Sequence, residues 1–398
     1  MKSGKALCLN MIVKNEAMNL ERCLETIAPH ISCWVIGDTG STDGTQDFIR
    51  SFFAARDIPG ELFSIRFVDF AQARNAALDR ARASALPFDY LLLADADMEL
   101  LVHAPAFARD LTSTAYEVRQ RSTITYRNVR LLRRDARASY RGVTHEFLNV
   151  AEGKTRHLND ISFLDHASGA NRIHKYERDL RLLTEALARE RDPAMVARYA
   201  FYLANTLRDS GQREAALRTY YWRAGLGHWR QEVFMSLLNA AMLMEAMGHL
   251  SKEVISTYEA ATAICPTRAE ALHGAARFCR RKGLYEKGYA FAMQGLTMAP
   301  PDDALFPEDW IYEYGLNDEL AVCAYWTSRY AECRDVCDRL LGDGKLPAEH
   351  SARVSRNGAL AAEKLFGSDS GKEVPRAAHG GRGVRSSALQ EFGRQSGR

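Results

Sequence analysis

The chain has 398 residues, of which 46% are hydrophobic, 26% charged and 10% aromatic. Two or three domains with real cores are expected, and a disordered, collagen-like or membrane-bundle protein is excluded. Fifty-three Lys and Arg stand against 50 Asp and Glu, a net charge of +3. Six of the basic and three of the acidic residues lie in 367–398, so the remainder is neutral and carries no nucleic-acid footprint.

Apolar runs at Leu7 to Val13, Cys33 to Gly37, Phe63 to Val68 and Tyr90 to Ala94 read as buried parallel strands. Amphipathic helices begin between them near Asn19, Thr45 and Ala71. This alternation predicts an α/β domain with a mostly parallel, Rossmann-like sheet, taken as residues 1–175. Residues 176–366 read as an all-α domain. From about Asp192, apolar residues recur at helical spacing, Gly211, Gly248 and Gly283 mark turns, and Pro266 and Pro300 end helices. A period near 34 residues is that of tetratricopeptide-like helix pairs, with Asp318 to Leu341 as a degenerate last unit that serves as a cap. Twelve of the 32 residues in 367–398 are Gly or Ser, and this basic tail is expected to be disordered. No 18-residue apolar run occurs, so neither a membrane span nor a signal peptide is expected. The eight cysteines form no Cys-x-x-Cys pair, and a cytoplasmic location follows.

An open parallel sheet binds ligands beyond the carboxyl ends of its strands. Those ends are rich in polar groups: Lys14, Asn15 and Glu16 after the first strand, DTGSTDGT (38–45) after the second, Arg74 and Asn75 after the third, and DADM (95–98) after the fourth. Two carboxylates two residues apart at a buried strand end need a cation or hydrogen bonds, so Asp95 and Asp97 suit Mn²⁺ or Mg²⁺ completed by phosphate oxygens. The plainer reading is a frayed strand end with one aspartate capping the next turn. Asp38 is placed to accept from a nucleobase or ribose, with Gly40 and Gly44 permitting close backbone approach. DTGS also matches the aspartic-protease signature, but that chemistry requires two such aspartates and this chain has one. Arg74, with Asn75 beside it, can clamp a diphosphate. In GVTHEFL (142–148) the metalloprotease pattern His-Glu-x-x-His fails at Asn149, which leaves Glu146 as a candidate general base and His145 as its neighbour or a core residue. Of the histidines at 145, 157, 166 and 174, His166 in a Gly-containing loop is the candidate to complete a metal shell.

LCLNMIVKNE, DTGSTDGT, FAQARNAAL and LLLADADMEL, in that order, resemble the family 2 glycosyltransferases of the GT-A fold. GVTHEFL, HASGANR, KYERDLRLL and the helical repeats resemble a bacterial branch that includes sublancin-type peptide S-glycosyltransferases. The resemblance implies inverting transfer from a nucleotide-sugar donor, a UDP-sugar being the first choice. It assigns Asp38 to the base or ribose, Arg74 to the diphosphate, Asp95 and Asp97 to donor and metal, Glu146 to the acid-base role and His166 to the metal. The donor site is taken as Asn15, Glu16, Asp38, Gly40, Arg74, Asn75 and Asp95. The acceptor is left open among a peptide or protein, a glycan and a lipid-linked saccharide, with the repeats expected to hold a peptide, protein or glycan in part. In the rival reading, a decayed transferase domain supports a non-catalytic adaptor.

Overall fold

The computed structural model describes residues 4–122, 125–168, 175–301 and 304–367. The expected tail beyond Gly367, and His174, lie outside the described residues. The chain divides into two compact units, Met1–Gln212 and Arg213–Arg398.

The first unit is built on β1 (Leu7–Val13), β2 (Cys33–Asp38), β3 (Gly60–Ser64) and β4 (Tyr90–Leu93), crossed by α1 (Ala17–Ile27), α2 (Thr45–Ala54) and α3 (Phe70–Ala83). β5 (Met98–Val102), β6 (Ala115–Arg121), β7 (Thr125–Arg133) and β10 (Thr155–Asp165) extend the sheet, while β8 (Ala138–Arg141) and β9 (Phe147–Val150) pair as a hairpin. The strand order is β3-β2-β1-β4-β7-β6-β10-β5, and the first four run parallel. This is the α/β architecture the alternation implies.

β1 and β2 are almost wholly buried because both faces of the sheet are covered. Leu20, Leu24, Ile49 and Phe53 from α1 and α2 close one face, and Leu78 and Ala81 from α3 the other. The one polar side chain in the middle of β1, Asn10, donates to Val35 O and Ala77 O, both at 3.0 Å, so sheet and α3 are stitched together at no unsatisfied cost.

Two expectations shift. β3 covers Gly60–Ser64 rather than Phe63 to Val68. Gly60 lies against the Trp34 ring, where a Cβ would come within 2.2 Å of the indole, and pairing with β2 starts there. The hydrophobic run marks only the end of this edge strand. The strands after residue 97 were not anticipated, since β6 (AYEVRQR) and β7 (TYRNVRLLR) carry arginines where a buried strand would carry apolar residues.

α4 (Lys175–Arg189) and α5 (Pro193–Asp209) pack within this first unit, since the division falls at Gln212. The second unit is all helix: α6 (Arg213–Gly225), α7 (Arg230–Met247), α8 (Ser251–Ile264), α9 (Glu270–Arg281), α10 (Tyr285–Gly295), α11 (Leu316–Trp326, entered through a π-helical turn), α12 (Tyr330–Gly342) and α13 (Ala348–Phe366). Gly248 and Gly283 close α7 and α9 with φ of 77° and 74°. Buried ion pairs lock helices together, Arg223 of α6 to Glu232 of α7 at 2.9 Å and Arg280 of α9 to Glu319 of α11 at 2.6 Å. The expected last unit is itself covered by α13, whose Val354 and Ala361 pack on Cys333, Cys337 and Leu340. Among the described residues no helix is long and apolar enough to cross a membrane.

Candidate functional site

The loops after β1 and β2 are laced together. Asn15 takes a left-handed conformation (φ 55°), its Oδ1 accepts from Thr42 N at 2.8 Å, and its own N–H donates to Ser41 Oγ at 2.9 Å. The N–H of buried Glu16 donates to Thr45 Oγ1 at 2.8 Å, and its Oε2 accepts from Asn19 Nδ2 at 2.8 Å. Asp38, also buried, accepts from Gly40 N at 3.0 Å, Ser41 N at 3.1 Å and Gln46 Nε2 at 2.8 Å. A base or ribose would reach Asp38 only at the lone pairs these donors leave. Gly40 has φ 102°, which a side chain would strain.

At the ends of β4 and α3 lies a charge bridge. Arg74 Nη2 donates to Asp95 Oδ1 and Arg74 Nε to Glu146 Oε1, both at 2.5 Å. Arg130, on β7, reaches Asp95 Oδ2 through Nη1 and Nη2 at 3.2 Å. Burial alone would raise the Asp95 carboxyl, but Arg74 and Arg130 override it and hold the group well below the usual carboxylate range. Burial likewise opposes the Arg74 charge, and Asp95 with Glu146 keeps it protonated well above its ordinary range. Asn75 is turned away from this bridge: it exchanges hydrogen bonds with the Tyr140 backbone, at 2.9 and 2.7 Å, and so fixes β8 against α3.

The GVTHEFL turn is gripped by α5. His145 (φ 50°) lies flat on Tyr202, with ring centroids 4.1 Å apart, and its carbonyl accepts from Arg198 Nη2 at 2.8 Å. Desolvation in this stack, then the nearby cations Lys175 and Arg198, lower its pKa to about 4. His145 is therefore a neutral packing element, and Glu146 points the other way, to Arg74.

His166 N donates to Asp97 O at 3.1 Å, while its Nε2 lies 2.7 Å from Glu99 Oε1. Among the described residues no three His, Cys, Asp or Glu side chains gather into a metal cage. Both Asp95 oxygens are held by arginines, and Asp97 is the second carboxylate of the pair. Mg²⁺ or Mn²⁺ needs only one or two carboxylates beside water and substrate phosphate oxygens, so this donor set fits an open ion site and not a closed one.

Two cavities meet at Arg74, Asp95 and Asp97. One, of about 440 Å³, is reached by Glu16 and Thr39, floored by Phe67 and Phe70, and ringed by Lys14, Lys175, Arg178 and Arg181. The other, of about 280 Å³, holds Glu146 and a nearly all-polar wall. A larger open hollow of about 910 Å³ beside Arg82 and Arg134, at the start of β4, contains none of the candidate residues. Glu16, Arg74, Asp95, Asp97 and Glu146 are thus brought together; Asp38, Gly40, Asn15, Asn75 and His166 support the surrounding loops.

Residues 8–107 match the family described as Glycosyl transferase family 2. The matched stretch is about a quarter of the chain and supports a glycosyltransferase domain at β1 to β5. No curated protein matches the chain. Among solved structures the chain is similar to a tetratricopeptide repeat protein of Parabacteroides merdae ATCC 43184, at 16% identity over 49% of this chain and 75% of that one, TM-score 0.36. A thermophilic TPR protein of Thermus thermophilus gives 18% identity, 46% and 91% coverage and a TM-score of 0.32. BtubC of P. vanneervenii gives 13%, 54% and 98%, and 0.34. At such scores the repeat assignment rests on the helix pairs themselves.

Sequence reasoning missed Arg130, Gln120 and Tyr140, which complete the bridge and the polar wall, and the cations of α4. The latter had a signal: Lys175, Arg178 and Arg181 recur every three residues along one helical face.

Proposed function

We propose that this protein is an inverting glycosyltransferase, moving a sugar from a nucleoside-diphosphate donor, a UDP-sugar first, to a peptide, protein or glycan acceptor with Mn²⁺ or Mg²⁺ in a reducing, cytoplasmic setting. The observation that carries the reading is the Arg74 bridge, one guanidinium shared by Asp95, which lies with Arg74 inside the family match, and Glu146, which lies beyond it.

The donor's diphosphate occupies the larger cavity, where Lys14, Lys175, Arg178 and Arg181 offset its charge. Arg74 forks toward the departing phosphate, which loosens its hold on Glu146. Glu146 then takes the acceptor proton as the acceptor atom attacks the anomeric carbon from the opposite face, a role worth about 10² to 10⁴ in rate. One displacement suffices, with no sugar attached to the enzyme. Asp97 would hold the divalent ion together with diphosphate oxygens, and His166 would join only on leaving Glu99; when bound, the ion supplies Lewis-acid compensation of the leaving group. The helix pairs of the second unit serve as a platform for the acceptor, a role supported by their repeat architecture.

The test is nucleoside diphosphate release from a panel of nucleotide sugars with Mn²⁺, with and without chelator and cell extract. Release dependent on the ion supports the reading. A chain that binds no nucleotide under these conditions is the adaptor of the rival reading.

A further inference from the structure

The cavity on the Glu146 side has a directional hydrogen-bond chain along its wall. Tyr126, Asn128 and Arg130 alternate along one face of β7, and Gln120 faces Tyr126 from β6. Arg130 can only donate, so the Gln120 atom it reaches, through Nε at 3.2 Å and Nη2 at 2.7 Å, is the carbonyl oxygen. That fixes the other end of Gln120 as the amide nitrogen, which donates to Tyr126 Oη at 2.6 Å and to Asp165 Oδ2 at 3.1 Å. The tyrosine oxygen is thereby made an acceptor of Gln120, and its own O–H is left to donate elsewhere. Asn128, half-buried on the same wall, has a side-chain amide with no hydrogen-bond partner among the described residues, offering one acceptor and two donors. The apolar lining is limited to Met98, Val129, Leu148 and Ala167.

We infer that this cavity takes a sugar ring and reads its hydroxyls through Asn128 and Tyr126. A wall of paired donors and acceptors beside a carboxylate suits vicinal hydroxyls, which both give and accept; an apolar peptide side chain or a lipid tail would leave these groups unpaired. The inference rests on the glycosyltransferase reading above. The ring belongs either to the donor or to a glycan acceptor, and the two sources part in the experiment.

Full-length protein and the variants Tyr126→Phe and Asn128→Ala are titrated calorimetrically, with Mn²⁺, against free UDP and against a set of UDP-sugars, and acceptor KM is measured by UDP release. Each variant is expected to bind free UDP as the unmodified protein does, which also reports an intact fold. Loss of one hydrogen bond corresponds to a change of about fivefold. If it falls on the Kd of the UDP-sugar, the pocket reads the transferred sugar; if it falls on the KM of a glycan acceptor with donor Kd unchanged, it reads the acceptor. The inference is overturned if both variants keep both constants, if free UDP weakens to the same degree, or if the change appears only with sugar-free peptide acceptors. Should the unmodified protein neither bind nor cleave any sugar nucleotide, the transferase reading fails first and takes this one with it.

Discussion

Replacing Arg74 tests the charge bridge directly. Its side chain is 16% exposed, and its two partners, Asp95 and Glu146, are 23% and 12% exposed. Breaking a fully buried pair costs about 3 to 5 kcal/mol, and the partial exposure here brings the cost of Arg74→Met to about 2 kcal/mol. For a unit of this size, each kcal/mol moves Tm by about 2 to 4 °C, so a fall of about 4 to 8 °C is expected. Arg74→Lys keeps the charge but has one ammonium where the guanidinium uses Nε and Nη2 at once. It should recover about half of that loss. Activity should not follow: if the fork stabilises the departing diphosphate, both variants slow the transfer step about 10²-fold or more. Scanning fluorimetry and nucleoside diphosphate release read the two effects separately. A lysine variant that melts and turns over like the unmodified protein would refute the claim that the fork is what the site requires.

Asp97→Asn should abolish metal-dependent donor binding measured by calorimetry, whereas binding that still responds to Mn²⁺ would remove Asp97 from the ion. Glu146→Gln should retain the donor and slow transfer by about 10² to 10⁴ in single-turnover assays; undiminished turnover would place the base elsewhere. Asn75→Ala removes both hydrogen bonds to the Tyr140 backbone and should lower stability by about 1 to 2 kcal/mol by denaturant titration. The His145 ring, with its pKa lowered to about 4, should stay neutral in NMR titrations down to about pH 5. Because the unfolded chain protonates this histidine first, stability should fall as pH drops from 6.5 toward 4, and a ring that titrates near 6.5 would contradict the stacked geometry.

How much of this could be read from residues alone differs along the chain. β1, β2 and β4 are mostly apolar runs buried on both faces, with Asn10 the one polar side chain inside them, and their polar ends announced Asp38, Asp95 and Asp97. Arg74 was legible through its place at the start of α3. Arg130 was not, because an arginine on a strand ordinarily faces water, and only pairing β7 beside β4 brings it to Asp95. Asn75 and His166 illustrate the converse. Both sit among site residues in the sequence, yet local geometry turns Asn75 to a backbone and His166 to Glu99. Helix pairing in the second unit was visible through its glycine turns, while α13 buries only four positions, two of which, Asn357 and Gly358, carry no large apolar side chain.

Asp95 belongs to the matched stretch 8–107, yet one of the two arginines that neutralise it, Arg130, comes from beyond that boundary. A transplant cut at residue 107 would carry an acid whose counterweight stayed behind. Modularity in this protein therefore begins after β10 at the earliest, and chimeras or minimal fragments must inherit the arginine-bearing hairpin along with the matched strands.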